Sequence, residues 1–348
     1  KVLKAYKEAY PEAYEEYMNA MAGKFTLDYE ELAKTYHFND NEATRNTSLK
    51  VIQEVAKQNP TFLSGTADLA SSTKTTIANE DRFGPDHYNG RNLYFGIREF
   101  AMVAIMNGMT LHHGVKVAAG GFLVFSDYFK AAARMACLMK LPIILPLSHD
   151  SIAVGEDGPT HQPVEQLAML RSMVNMQVLR PADASEMMAA WKIAVETTDA
   201  PTALILTRQD VPNITNATYD DVARGAYIVR KEDHELDGII IATGSEVALA
   251  IEASNKLNAE GIGVRVVSMP SCERFDAQSA EYQEFILPKA CRKRLSVEMQ
   301  TDFGWYKYVG LDGKAMSVST YGASAPASKV IAEYGFTVDN VIKNYQEL

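Results

Sequence analysis

The chain has 348 residues, a length for which two or three domains are the first expectation. Hydrophobic residues make up 47% and charged residues 22%, a globular composition that excludes a disordered or collagen-like chain, and three cysteines (Cys137, Cys272, Cys291) are too few for a disulfide scaffold. The 44 acidic against 34 basic residues leave a net charge of −10, a poor match for nucleic acid, and no apolar run approaches the roughly 18–20 residues that a bilayer span needs.

The sequence opens Lys1-Val2-Leu3-Lys4, without Met and without a signal-peptide pattern. Tyr6, Tyr10, Tyr14, Tyr17, Met18 and Met21 recur at helical spacing, so residues 1–22 read as a helix that Pro11 kinks or divides. A short helix follows over 28–36. From residue 41 strands and helices alternate: a helix carrying Leu49, Ile52 and Val55, a strand at 62–65, a strand at 94–97, and a helix at 98–111. Ala101, Ile105, Met106 and Met109 are expected on the buried side of that last helix. Next come a strand at 115–118, a helix at 126–139, the apolar run Leu141–Leu147, a strand at 177–180, a helix at 184–197 and a strand at 203–206. This alternation predicts a doubly wound, mainly parallel α/β unit over 41–212. The polar, turn-rich stretch 212–220 reads as a linker. A second α/β unit follows, with strands at 238–242, 264–269 and 294–298 and a helix at 247–260.

The segment Ser148–Pro163, SHDSIAVGEDGPTHQP, follows directly on the apolar run and carries His149, Asp150, Glu156, Asp157 and His161 around Gly155 and Gly158. Ligands of open α/β sheets bind just outside the carboxyl ends of the strands, which makes this a candidate substrate loop; a plain polar surface loop is the other reading. Its two histidines, twelve residues apart and without a Cys partner, do not match a usual metal spacing.

VGEDGPTHQP resembles the signature of transketolases, thiamine-diphosphate enzymes that move two-carbon ketol units between sugar phosphates. Further motifs follow in family order: Arg45 in ATRNTS, Ser64–Leu69 (SGTADL), Phe95–Glu99 (FGIRE), the aromatic set Phe122, Phe125 and Tyr128, Arg180–Asp183 (RPAD), Arg208-Gln209, and Thr243–Glu246 (TGSE) in the second unit. The resemblance implies two three-layer α/β/α domains. The first, 41–212, would be a mainly parallel pyrimidine-binding domain. The second, 221–348, would be a smaller C-terminal domain with a mixed sheet.

The resemblance also assigns roles. Glu99 would be the catalytic carboxylate, hydrogen-bonded to N1′ of the cofactor's pyrimidine and favouring the imino tautomer that deprotonates the thiazolium; a dry pocket would help it hold its proton. By sequence alone Arg98-Glu99 also reads as an exposed charge pair at a helix start. Phe122, Phe125 and Tyr128 would surround the pyrimidine, although a spacing of three also suits a helix core. Arg45, Ser72, His149 and Arg208 would grip the substrate phosphate. Asp157 would contact a sugar hydroxyl, and His161 would act as donor or proton carrier at the reacting oxygens. Asp68 is expected beside the cofactor or at a subunit interface. Phe100 stands where the family often has His. The turn 243–246 would either hold an anion on backbone N–H groups or be an ordinary strand-to-helix turn.

No Gly-Asp-Gly occurs, the family's motif for binding diphosphate and Mg²⁺. The expectation is therefore a chain made of the pyrimidine-binding and C-terminal domains, with 1–40 as the remnant of a diphosphate-binding domain. Mg²⁺ ligands would lie outside the chain. The expected assembly is a cytoplasmic homodimer that meets neither nucleic acid nor membrane and is inactive as this chain alone. Three alternatives stay open: a subunit of a two-chain transketolase, a dihydroxyacetone synthase (distinguished by formaldehyde as acceptor), and a deoxyxylulose-phosphate synthase-like or 2-oxo acid dehydrogenase-like thiamine enzyme. A non-catalytic dimerisation module would have no need of Glu99, Asp157, His161 and both arginines.

Overall fold

The computed structural model describes all 348 residues. Thirteen strands are present: β1 (Asn41–Glu42), β2 (Phe62–Thr66), β3 (Asn92–Tyr94), β4 (Lys116–Phe122), β5 (Ile144–Ser148), β6 (Gln177–Leu179), β7 (Thr202–Leu206), β8 (Val211–Pro212), β9 (Tyr227–Arg230), β10 (Leu236–Ala242), β11 (Gly263–Ser268), β12 (Arg294–Val297) and β13 (Lys314–Met316). The first large sheet has the order β3-β2-β4-β5-β7-β6, every pair parallel. The second has the order β13-β12-β10-β11-β9; only β9, at its edge, runs antiparallel. Every residue of β4, β5 and β7 is buried, as central parallel strands covered on both faces by helices require.

The sheets belong to separate hydrophobic cores. One face of the first sheet packs Phe62, Ile144 and Leu204 against Trp191 and its helix Ala184–Glu196; Trp191 donates its indole N–H to Ser48 Oγ at 2.9 Å. The other face packs Leu145, Ile205 and Val117 against the helices Glu99–His112 and Ser126–Met139. The second sheet buries Ile240, Val266 and Leu295 against the helices Glu246–Ala259 and Val338–Gln346.

Pro11 does divide the first helix, into Val2–Ala9 and Pro11–Met21, both almost fully exposed. Residues 24–38 are not a loose remnant, however: Leu27 and Leu32 are completely buried in the first core. The strand expected at 94–97 lies at Asn92–Tyr94, because Gly96 (φ 68°) turns the chain away before the helix at Glu99. That helix keeps the expected face only in part: Met106 is buried and Met109 packs on the core, but Ile105 does not. Met102, Val103, Met106 and Asn107 are buried, while Ile105 is half exposed. It is apolar on nearly every side, so periodicity alone does not select the buried face.

The stretch after the first sheet is fastened rather than free. β8 pairs with β1, and Asp183, the N-cap of the helix Ala184–Glu196, accepts N–H bonds from Ile214 (2.9 Å) and Thr215 (2.7 Å) as well as from its own helix.

Candidate active site

In a parallel sheet the carboxyl ends of the strands share one edge, and the loops leaving that edge collect the predicted site residues. Asp68 and Ser72 follow β2, Glu99 follows β3, Phe122 ends β4, His149 follows β5 and Arg208 follows β7.

Arg45 reaches this edge from the start of the helix Thr44–Gln58. The link is a reciprocal pair. Thr44 N–H donates to Thr207 Oγ1 (2.9 Å) and Thr207 N–H donates to Thr44 Oγ1 (2.8 Å). Ala43 N–H adds a bond to Asp210 Oδ1 at 2.9 Å. This pinning puts Arg45 and Arg208 side by side. Burial lowers the Arg45 pKa, and the neighbouring Arg208 guanidinium lowers it further. Arg45 Nη1 donates to the backbone carbonyl of Ser72 at 3.0 Å, so the engaged atom of Ser72 is its carbonyl oxygen. Arg45 Nε is buried without a partner, and so are both side-chain polar atoms of Gln209. Buried donors without acceptors are rare; two arginines and an unpaired Nε are the donor set an oxyanion would satisfy. Gln209 entered the sequence reading only as part of a motif. That its amide is unpartnered was not visible there, because lack of a partner is a property of the folded environment.

His149 adopts φ 62° and is almost fully buried. Its ring lies on Phe122 with centroids 3.6 Å apart, and its Nδ1 pairs with Ser148 Oγ at 2.9 Å. Burial, then Arg45, Arg208 and His161, push its pKa down to about 3. The imidazole is therefore neutral at physiological pH.

Phe122 and Phe125 stack at 5.6 Å, and Phe125 meets the exposed Tyr128 at 6.0 Å. They do not form a helix core; they form a ledge with one open end. His161 stands edge-on to it, 5.4 Å from Phe125 and 6.1 Å from Phe122, with Nδ1 on Thr160 Oγ1. The structure thus gathers Arg45, Ser72, His149, His161, Arg208 and the three aromatic residues. Asp157 is exposed at the tip of the loop, and Asp68 is exposed in a left-handed conformation at φ 64°. Glu99 is half buried in the first turn of its helix, so this chain alone does not enclose it in a dry pocket.

The turn 243–246 holds a cation. Gly244 (φ 55°) passes so close to Arg180 that a Cβ there would lie 2.7 Å from the guanidinium carbon. Arg180 donates to Asp150 Oδ2 (3.0 and 2.8 Å), Thr243 Oγ1 (2.9 Å) and Glu246 Oε1 (3.1 Å). Beside it Arg171 binds Glu298 through two bonds, at 2.8 and 2.9 Å. Burial raises the pKa of Glu246 despite Arg180. For Glu298 burial also raises it, but Arg171 outweighs that and the net shift is downward. With the turn occupied by this network, the anion-holding reading of 243–246 falls away.

Residues 40–213 match the family profile of the transketolase pyrimidine-binding domain, and residues 225–337 that of the transketolase-like C-terminal domain. A transketolase of Geobacillus stearothermophilus is 51% identical over 99% of this chain. A transketolase of Pichia stipitis, solved in complex with sedoheptulose 7-phosphate, superposes with a TM-score of 0.94 at 37% identity over 99% of this chain and 51% of its own. A structure described as a split-gene transketolase, an inactive β4 tetramer, matches at TM-score 0.71 and 26% identity, over 88% of this chain and 97% of its own. The chain spans about half the length of the curated relatives it matches, 52% in the Geobacillus case. No helix is long and apolar enough to cross a membrane. By sequence over nearly its whole length, and by fold, the chain belongs to the transketolase family.

Proposed function

We propose that these residues form the pyrimidine-side half of a thiamine-diphosphate site and the phosphate grip of a transketolase that moves two-carbon ketol units between sugar phosphates in the pentose phosphate pathway. The observation that carries the reading is the oxyanion-ready cluster of Arg45, Arg208, neutral His149 and the unpartnered Arg45 Nε, placed beside an open aromatic ledge. Arg45 and Arg208 supply the charge for a phosphate monoester. His149 keeps Nδ1 on Ser148 and has Nε2 left to donate. Asp157 orients a sugar hydroxyl, and His161, held edge-on, passes protons to and from the reacting oxygens.

The flat faces of Phe122 and Phe125, open beyond Tyr128, suit a heteroaromatic ring. When bound, thiamine diphosphate supplies the nucleophilic carbon. Glu99 would supply a carboxyl group to the pyrimidine, Asp68 would border the cofactor, and Phe122, Phe125 and Tyr128 would pack against the ring. The diphosphate and Mg²⁺ fall to residues outside these 348.

We place the enzyme in the cytoplasm as a homodimer. Its three cysteines are free and buried, and Ile97, just before the helix Glu99–His112, with Phe100, Ile105 and Leu111 on that helix and Leu138 on the helix Ser126–Met139, are exposed apolar side chains. The two-chain organisation is the second reading, because a split-gene transketolase chain matches over 97% of its own length.

The test is a transfer assay on the complete enzyme carrying these residues, with a ketose phosphate donor and an aldose phosphate acceptor. Thiamine-diphosphate-dependent product, with KM raised in Arg208→Met, is the expected result. Equal KM in wild type and variant would refute the phosphate grip.

A further inference from the structure

We propose that Gln300, from the unit of the second sheet, is a positioning residue that sets the geometry of the loop 148–163 by tying its two ends together. The proposal rests on the reading of that loop as substrate-contacting. Gln300 is fully buried, and its Nε2 donates to Asp150 O at 2.7 Å and to Pro163 O at 3.1 Å. One side-chain amide thus bridges the residue after His149 and the second residue after His161. Thr301 N–H extends the tie with a 2.9 Å bond to Val164 O.

Asp150 is gripped twice, at its carbonyl by Gln300 and at its carboxylate by Arg180, whose other donors end on Thr243 and Glu246. His149, the next residue back, holds a left-handed φ of 62°, a conformation that persists where the surroundings over-determine it. Further along, Gln162 Nε2 donates to Gly155 O and to Ala323 O, both at 2.9 Å, and Ser324 Oγ donates to Glu156 O at 2.6 Å. A side chain at Gly155 (φ 88°) would press on Ala327 N at 3.2 Å. The second unit therefore contacts the loop at both ends and at the tip. Gln300 Oε1 is buried with no partner, so only the two N–H bonds orient this amide.

The experiment uses this chain with Gln300→Met, which keeps length and removes the donors. Hydrogen exchange is read over 151–162, and the His149 imidazole is titrated by NMR. We expect exchange in the loop to rise at least about tenfold while the β5 and β7 amides change less than about twofold. The His149 pKa should climb from about 3 toward the solvated value of about 6.5. Unchanged loop exchange and titration, or a rise spread evenly over the first sheet, would overturn the proposal. If Gln300→Met does not fold, Gln300→Asn, whose shorter side chain cannot reach both Asp150 O and Pro163 O, is read instead; we expect at least about threefold faster exchange over 151–162, and no change there overturns the proposal. The phosphate reading fails by a separate sign, namely no displacement of the wild-type His149 resonances by inorganic phosphate, which leaves the exchange result intact.

Discussion

The rings of His149 and Phe122 lie 3.6 Å apart, centroid to centroid, at 25° to one another. Burial of the imidazole, with the positive charges of Arg45 and Arg208 next in weight, holds it in the neutral form. The folded pKa, about 3, lies below the unfolded value of about 6.5. Between these values the unfolded chain binds a proton that the folded chain does not, so stability is lost as pH falls through that window. Replacing His149 by Phe removes a slope of at most about 1.4 kcal/mol per pH unit. Urea unfolding at a series of pH values between 4 and 7 should show the variant flatter than wild type; parallel curves would show that His149 is not held neutral.

Arg180→Met leaves Asp150 and Glu246 buried without their cation. Stranding buried carboxylates costs about 3–5 kcal/mol. Urea unfolding at neutral pH should register a loss of that size. A loss below about 1 kcal/mol would mean that the network contributes little and that the domains are joined by apolar packing.

If the chain pairs through the exposed apolar side chains of the helices Glu99–His112 and Ser126–Met139 as proposed, Ile105→Asp with Leu138→Asp should leave a monomer in sedimentation, with far-UV circular dichroism unchanged, because Leu138 is exposed and Ile105 half exposed in the single chain. A wild-type chain that sediments as a monomer at tens of micromolar would contradict the dimer reading.

Glu99 is half exposed at the head of its helix, so Glu99→Ala should leave the melting temperature within the scatter of repeated scans. On the role proposed for Glu99 at the cofactor, the same substitution in the complete enzyme should lower turnover by about 10²–10⁴-fold. Near-normal kcat would remove Glu99 from the mechanism.

Calorimetry of this chain alone should give thiamine diphosphate a Kd weaker than about 1 µM, because the ledge of Phe122, Phe125 and Tyr128 is open on one side. Sub-micromolar binding would show that these residues suffice for the cofactor.

Much of the fold was legible because alternating apolar runs and helical periods are local signals. The helix Ser126–Met139 lies where its spacing predicts, and the apolar run 141–147 contains most of β5. The helix Glu99–His112 shows the limit: with apolar residues all round it, the sheet beneath chooses which face is buried. β9 and β13 went unread because each has a single fully buried residue, Tyr227 in β9 and Met316 in β13, and so shows no apolar run.

The sequence by itself determined the family, through motifs whose order along the chain carries the information, and with it the residue types at the site. The same motifs pointed to two arginines, two histidines and an aromatic set as candidates for one site. Tertiary structure alone decided how they are placed and which partners they have. The Thr44–Thr207 exchange ties the segment of Arg45 to that of Arg208 across 163 positions, burial and the nearby cations keep His149 neutral, and Arg180 fills the turn that looked ready for an anion. Each of these depends on burial and on neighbours distant along the chain, and desolvation and hydrogen-bond partners are properties of a packed interior that no local pattern encodes.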